Sequence, residues 1–77
     1  MSVVMIDGDH TDVGEVGDLL RKARERRGLA MQKVHERSGM SGSAIGSYER
    51  GERQISIAKL RKLAVLYDVT FSIGPLP

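Results

Sequence analysis

The apolar positions of the chain fall into four helical patterns, the first three of them closed by glycine. Val16, Leu19, Leu20 and Ala23 recur at i, i+3, i+4 and i+7, which is one face of a helix. That helix is expected to begin loosely near residue 14, because Gly14 and Gly17 weaken its first turn, and to end at Arg27. Asp12 with Glu15 three residues on predicts a capping box, and Asp18 adds acid near the positive end of the helix dipole. A second helix is expected over about residues 31–38, with Val34 as its clearest inward side chain. Ser41 is placed to cap a third, running to about Arg50 and turning Ala44, Ile45 and Tyr48 inward. Ser56 is placed to cap a fourth, with Ile57, Leu60, Leu63, Ala64 and Tyr67 on one face and Lys59, Arg61 and Lys62 on the wet side. Gly28, Gly39 and Gly51 follow the first three stretches, where a left-handed residue commonly ends a helix.

The two ends change period. Val69, Phe71 and Ile73 alternate with Thr70 and Ser72, which suits a strand, and residues 2–6 are apolar and rich in β-branched side chains. A small sheet, formed within the chain or across a dimer, competes here with a short terminal helix or disorder. Gly74, Pro75 and Pro77 then stop regular structure. The expected fold is all-α: a compact bundle of four to five short helices, with room for a small terminal β-strand element. The expected organisation is an acidic arm over residues 1–13, a helical domain over 14–69 and an apolar tail over 70–77.

Seventy-seven residues hold one thin core, with no cysteine to reinforce it. No apolar run approaches the roughly 20 residues of a membrane span, and the N-terminus lacks the basic lead of a signal peptide. A cytoplasmic location fits these features. The net charge of +2 conceals a strong asymmetry: residues 1–18 hold five acids and no Lys or Arg, whereas residues 19–77 hold twelve Lys and Arg against five acids. A body this basic points to an anionic partner, with nucleic acid the first candidate and a solvated basic surface the alternative. An enzyme is not indicated, because His10 and His35 are the sole histidines and no metal, nucleotide or nucleophile spacing is visible. The Asp-Gly-Asp-His run at residues 7–10 offers metal ligands, but within an acidic end that is expected to be flexible; no cofactor is expected.

A short helix, a tight turn containing glycine and a second short helix make a helix-turn-helix pattern. The stretch over residues 28–69 resembles the Xre family, the Cro and CI repressor type. The carrying features are Gly28, the turn Gly39-Met40-Ser41, Ile45, Glu49-Arg50-Gly51, and the helix with Leu60, Leu63 and Ala64. The segment from Gly46 through residue 69 is most like the DNA-binding half of BldD-type regulators. The resemblance implies a sequence-specific DNA-binding transcription regulator, a repressor and a homodimer on double-stranded DNA, with its third helix in the major groove. Carried onto this chain, the base-reading positions are Ser41, Gly42, Ser43 and Ser47, and phosphate contacts fall to Lys33, Arg37, Arg50 and Arg53. Arg24 and Glu49 correspond to a family ion pair of structural role. Two positions depart from the pattern. Met31 stands where many relatives have a phosphate-contacting Gln, and His35 where a small alanine is usual. Serine donates or accepts and so discriminates bases poorly by itself. The bland third helix and the apolar tail (Val69, Phe71, Ile73, Leu76) therefore keep a second reading open: a DNA-binding antitoxin or adaptor whose main role is binding a protein partner.

Overall fold

The computed structural model describes residues 2–7 and 13–74, with side chains from residue 13 to 70. The expected capping box at Asp12, most of the residue 7–10 run and the tail from Pro75 lie outside the described residues, as do the side chains of Phe71 and Ile73. Four helices follow one another: α1 (Val13–Arg26), α2 (Met31–Ser38), α3 (Gly42–Glu49) and α4 (Ile57–Tyr67). They lie between two strands, β1 (Ser2–Asp7) and β2 (Val69–Gly74).

The expected glycines end their helices. Gly28, Gly39 and Gly51 all have positive φ, at 68°, 79° and 74°. The end of α4 carries no such mark in the sequence. Asp68 takes the left-handed conformation instead, with φ 57°, and its N–H bonds back to the carbonyls of Ala64 and Val65. Aspartate is one of the few side chains that enters this region readily. At the helix starts, the Ser41 hydroxyl accepts from the Ala44 N–H and the Ser56 hydroxyl from the Lys59 N–H, each satisfying a donor that the helix leaves open.

The core is built from the inward stripes of all four helices: Leu20 and Ala23, Val34, Ile45 and Tyr48, and Leu60, Leu63 and Tyr67. Met40 and Ile55 close it from the connections and Val69 from β2. One expected inward residue is not there. Ile57 is 48% exposed, because as the first residue of α4 it precedes the turn that Leu60 and Leu63 press into the core. α1 and α3 pack at backbone distance. A Cβ on Gly17 would lie 2.7 Å from the Glu49 carbonyl oxygen and closer still to that of Tyr48. Gly17 therefore weakens its helix for a reason, since it lets α3 lie directly on α1.

The terminal strands form their sheet within the chain. They pair in parallel, from Ser2 opposite Val69 to Asp7 opposite Gly74, with the whole helical body as the crossover. β2 packs on α4, while β1 has β2 as its principal neighbour. The fold is thus an all-α bundle fringed by a two-stranded sheet.

Candidate nucleic-acid interface

The turn between α2 and α3 is braced from three sides. Ser38 is buried, and its hydroxyl accepts the Met40 N–H at 3.1 Å. Lys62 reaches across from α4 to the Ser38 carbonyl at 3.4 Å. The His35 ring meets the Met40 carbonyl at 2.6 Å through Nδ1, and since a carbonyl only accepts, Nδ1 carries the proton. His35 is otherwise exposed, so the larger residue at this position ties α2 to the turn and does not crowd the helix interface. These bonds fix the angle at which α3 leaves the turn.

On α3, Ile45 and Tyr48 point inward while Ser41, Gly42 and Ser43 are exposed and Ser47 is half-buried. The four expected base-reading positions therefore share the outer side of one short helix, beginning at its N-terminus. A Cβ on Gly42 would meet nothing within 4 Å. Gly46 is covered by the Arg50 side chain, whose Nη1 lies 2.7 Å from where its Cβ would be. Met31 opens α2 and packs, half-buried, against the core. A thioether at this place gives apolar packing, where an amide would offer a phosphate a hydrogen bond.

The expected phosphate-contacting cations divide. Lys33 is exposed and lies 3.3 Å from Glu36. Arg50, just beyond α3, makes two hydrogen bonds to Glu52 at 3.0 and 3.1 Å. That pairing raises the arginine pKa and lowers the Glu52 carboxyl below its ordinary value. Both pairs are exposed and contribute little to stability, so either cation can turn to a phosphate at small cost. Arg53 sits over the Tyr48 ring, 5.4 Å from its centroid. Lys59 sits 5.9 Å from the same centroid and reaches the Tyr48 hydroxyl at 3.2 Å. Among the described residues neither has a carboxylate partner. Tyr48 thus gathers two uncompensated cations beside the end of α3. Sequence periodicity put Lys59 merely on the wet side of α4, because its approach to Tyr48 depends on how α4 returns against α3. Arg37 lies elsewhere, on a groove between the last turn of α2 and the outer face of α4.

Behind this surface, Arg24 and Glu49 form a two-pronged pair, Nε to Oε2 at 2.7 Å and Nη2 to Oε1 at 3.0 Å. Their side chains are 12% and 4% exposed. The third nitrogen of Arg24 donates to the Leu29 carbonyl at 2.8 Å. One guanidinium therefore joins α1, the link into α2 and the end of α3, and its hydrogen bonds to the Glu49 carboxylate raise its pKa. Tyr67 lies buried near this pair. Its hydroxyl has no hydrogen-bond partner among the described residues, and burial, reinforced by the negative charge of Glu49, pushes its pKa to about 12.

A braced turn, a helix presenting small polar side chains and flanking cations together define a helix-turn-helix module. The chain belongs to the helix-turn-helix family whose model matches residues 20–73. It is 34% identical over 53 residues to the HTH-type transcriptional regulator SutR of Escherichia coli, covering 69% of this chain and 30% of that protein. It is 33% identical over 52 residues to a regulatory protein of the same type from Thermococcus kodakarensis, covering 68% of this chain and 16% of that protein. The chain thus spans less than a third of either curated relative. Among solved structures it is similar to the restriction-modification controller protein C.AhdI of Aeromonas hydrophila, with TM-score 0.70 and 33% identity over 74% of this chain and 86% of that one. The DNA-binding domain of BldD superposes with TM-score 0.67 and 36% identity, over 74% of this chain and 83% of that one. The domain is therefore of the kind found in DNA-binding transcriptional regulators.

Proposed function

We propose that this protein is a sequence-specific DNA-binding transcriptional regulator, a binding protein and not an enzyme, that acts on double-stranded DNA as a homodimer. Its third helix enters the major groove, where Ser41, Gly42, Ser43 and Ser47 approach base edges. Lys33, Arg50, Arg53 and Lys59 contact phosphates and fix the register. Arg37 is left out of that set because it lines the α2–α4 groove. The observation that carries the reading is the braced α2–turn–α3 unit with Arg53 and Lys59, which lack carboxylate partners among the described residues, gathered at Tyr48 beside the exposed serines of α3. The serine-rich helix favours a close fit in which waters and backbone share the readout. Repression is the simplest use of such a module, since it requires only that the occupied site be closed to other proteins. Dimerisation is supported by the two-stranded sheet, where each strand keeps one edge without a ladder partner among the described residues.

Selection of binding sites from a randomised duplex pool tests this reading. Enrichment of a two-fold symmetric sequence, with half-sites about one DNA turn apart, is expected. A pool that stays random through successive rounds would leave only non-specific charge binding. The second reading, an antitoxin or adaptor that serves chiefly to bind a protein, is favoured by one observation: the groove that takes Arg37 away from the α3 surface has an apolar floor.

A further inference from the structure

The outer face of α4 does not read as a plain solvated surface. Ala58, Arg61, Lys62 and Val65 recur at i, i+3, i+4 and i+7 and so form one stripe along the helix. Val65, at the C-terminal end of this stripe, is 84% exposed. Between the stripe and the last turn of α2 runs an open groove of about 490 Å³. Ala58, Val65 and half-buried Leu66 supply its apolar surface, while Arg37, Arg61 and Lys62 supply its rim. Among the described residues no acidic side chain lines it. Arg37 and Arg61 have no carboxylate partner among the described residues, and the Lys62 ammonium is held at the rim by its bond to the Ser38 carbonyl.

We propose that this groove docks an acidic amphipathic helix of a partner protein, with one apolar ridge on Val65, Leu66 and Ala58 and flanking Asp or Glu on the three cations. A phosphate backbone would satisfy the cations but offers nothing to the apolar floor, whereas a short helix with carboxylates beside leucines satisfies both. Uncompensated positive charge at the rim supplies orientation and speed of encounter, and the apolar strip supplies desolvated contact. The proposal rests on the second reading above, a protein partner, and is independent of whether α3 reads DNA. Because Lys62 also braces the α2–α3 turn, an occupied groove lies one hydrogen bond from the DNA-facing surface.

The test uses the full chain, isotopically labelled, and a synthetic 14-residue helical peptide with leucines at i, i+4 and i+7 and glutamates between them. Amide shifts confined to residues 37, 58, 61, 62, 65 and 66 are expected. Val65→Asn and Arg61→Gln should each weaken peptide binding by at least about fivefold, with unchanged melting temperature. A scrambled peptide of the same composition should bind at least about tenfold more weakly. Equal binding of the scrambled peptide, or indifference to Val65→Asn, would overturn the proposal, because charge alone would then explain the contact. So would a short DNA duplex that shifts the same six residues, which would assign the face to nucleic acid. Duplex affinity measured on the wild-type chain reports separately on the DNA-binding reading.

Discussion

Two glycines on facing helices should respond to the same substitution with opposite sign. Alanine in place of glycine inside a helix gains about 1 kcal/mol from backbone entropy and propensity. At Gly46 the new methyl meets only the far end of Arg50, a side chain that is 58% exposed and can swing aside. The swing loosens the Arg50–Glu52 pair, and an exposed pair of this kind is worth about 0–1 kcal/mol. Gly46→Ala should therefore be neutral to stabilising by about 1 kcal/mol. At Gly17 the new methyl meets the carbonyl oxygens of Tyr48 and Glu49, which are backbone of α3. They cannot move without lifting α3 off α1, so overpacking of about 1–3 kcal/mol or more should outweigh the propensity gain. In a domain of this size, 1 kcal/mol moves the midpoint by roughly 4–8 °C. Thermal unfolding followed by circular dichroism should show Gly46→Ala at or above the wild type and Gly17→Ala clearly below it. A stabilised Gly17→Ala would mean that α1 and α3 do not approach as described. A destabilised Gly46→Ala would mean that Gly46 is required by something other than Arg50.

Three further consequences follow from individual side chains. Arg24→Ala leaves Glu49 buried without its partner and frees the Leu29 carbonyl. It should cost about 3–5 kcal/mol in urea denaturation, while a double replacement by apolar residues of similar volume should recover much of the loss; a near-neutral Arg24→Ala would contradict the buried pair. Tyr67→Phe removes a buried hydroxyl without a hydrogen-bond partner and should stabilise the protein by about 1 kcal/mol at neutral pH. Because burial raises the folded pKa of Tyr67 to about 12, above its ordinary value, ionisation favours the unfolded chain, so stability is unaffected by this group below about pH 10 and falls as pH rises through 12. Wild-type stability should fall more steeply than that of Tyr67→Phe across this window, and parallel curves would refute the assignment. Arg53→Gln and Lys59→Gln should each lower the slope of log affinity against log salt by about 1 on any duplex, and an unchanged slope would remove that residue from the phosphate contacts.

The helices were legible in the sequence because their signals are local. Serine caps at Ser41 and Ser56, glycines at positive φ and a stripe at helical spacing act within a few residues. The end of α4 was less legible, since Asp68 does with a polar side chain what glycine does elsewhere. At the termini, alternation in residues 69–73 and an apolar run in residues 2–6 signalled strands. Which strand each would join is a long-range matter, and the parallel pairing spans the whole chain. The same distinction governs the surface. The outward positions of α3 follow from periodicity, but Lys59 over Tyr48, Gly17 beneath α3 and Arg37 on the α2–α4 groove depend on packing between elements. Local patterns carry no information about such contacts.

The most direct test of the account is fluorescence anisotropy of the protein on its own upstream DNA and on a scrambled duplex of equal length, across a salt series. Sequence-specific reading by α3 predicts that the upstream complex stays tight at physiological salt after the scrambled one has dissociated, because base contacts remain when counterion release has weakened. Equal affinities that collapse together as salt rises would contradict the account, leaving a basic surface without a reading helix.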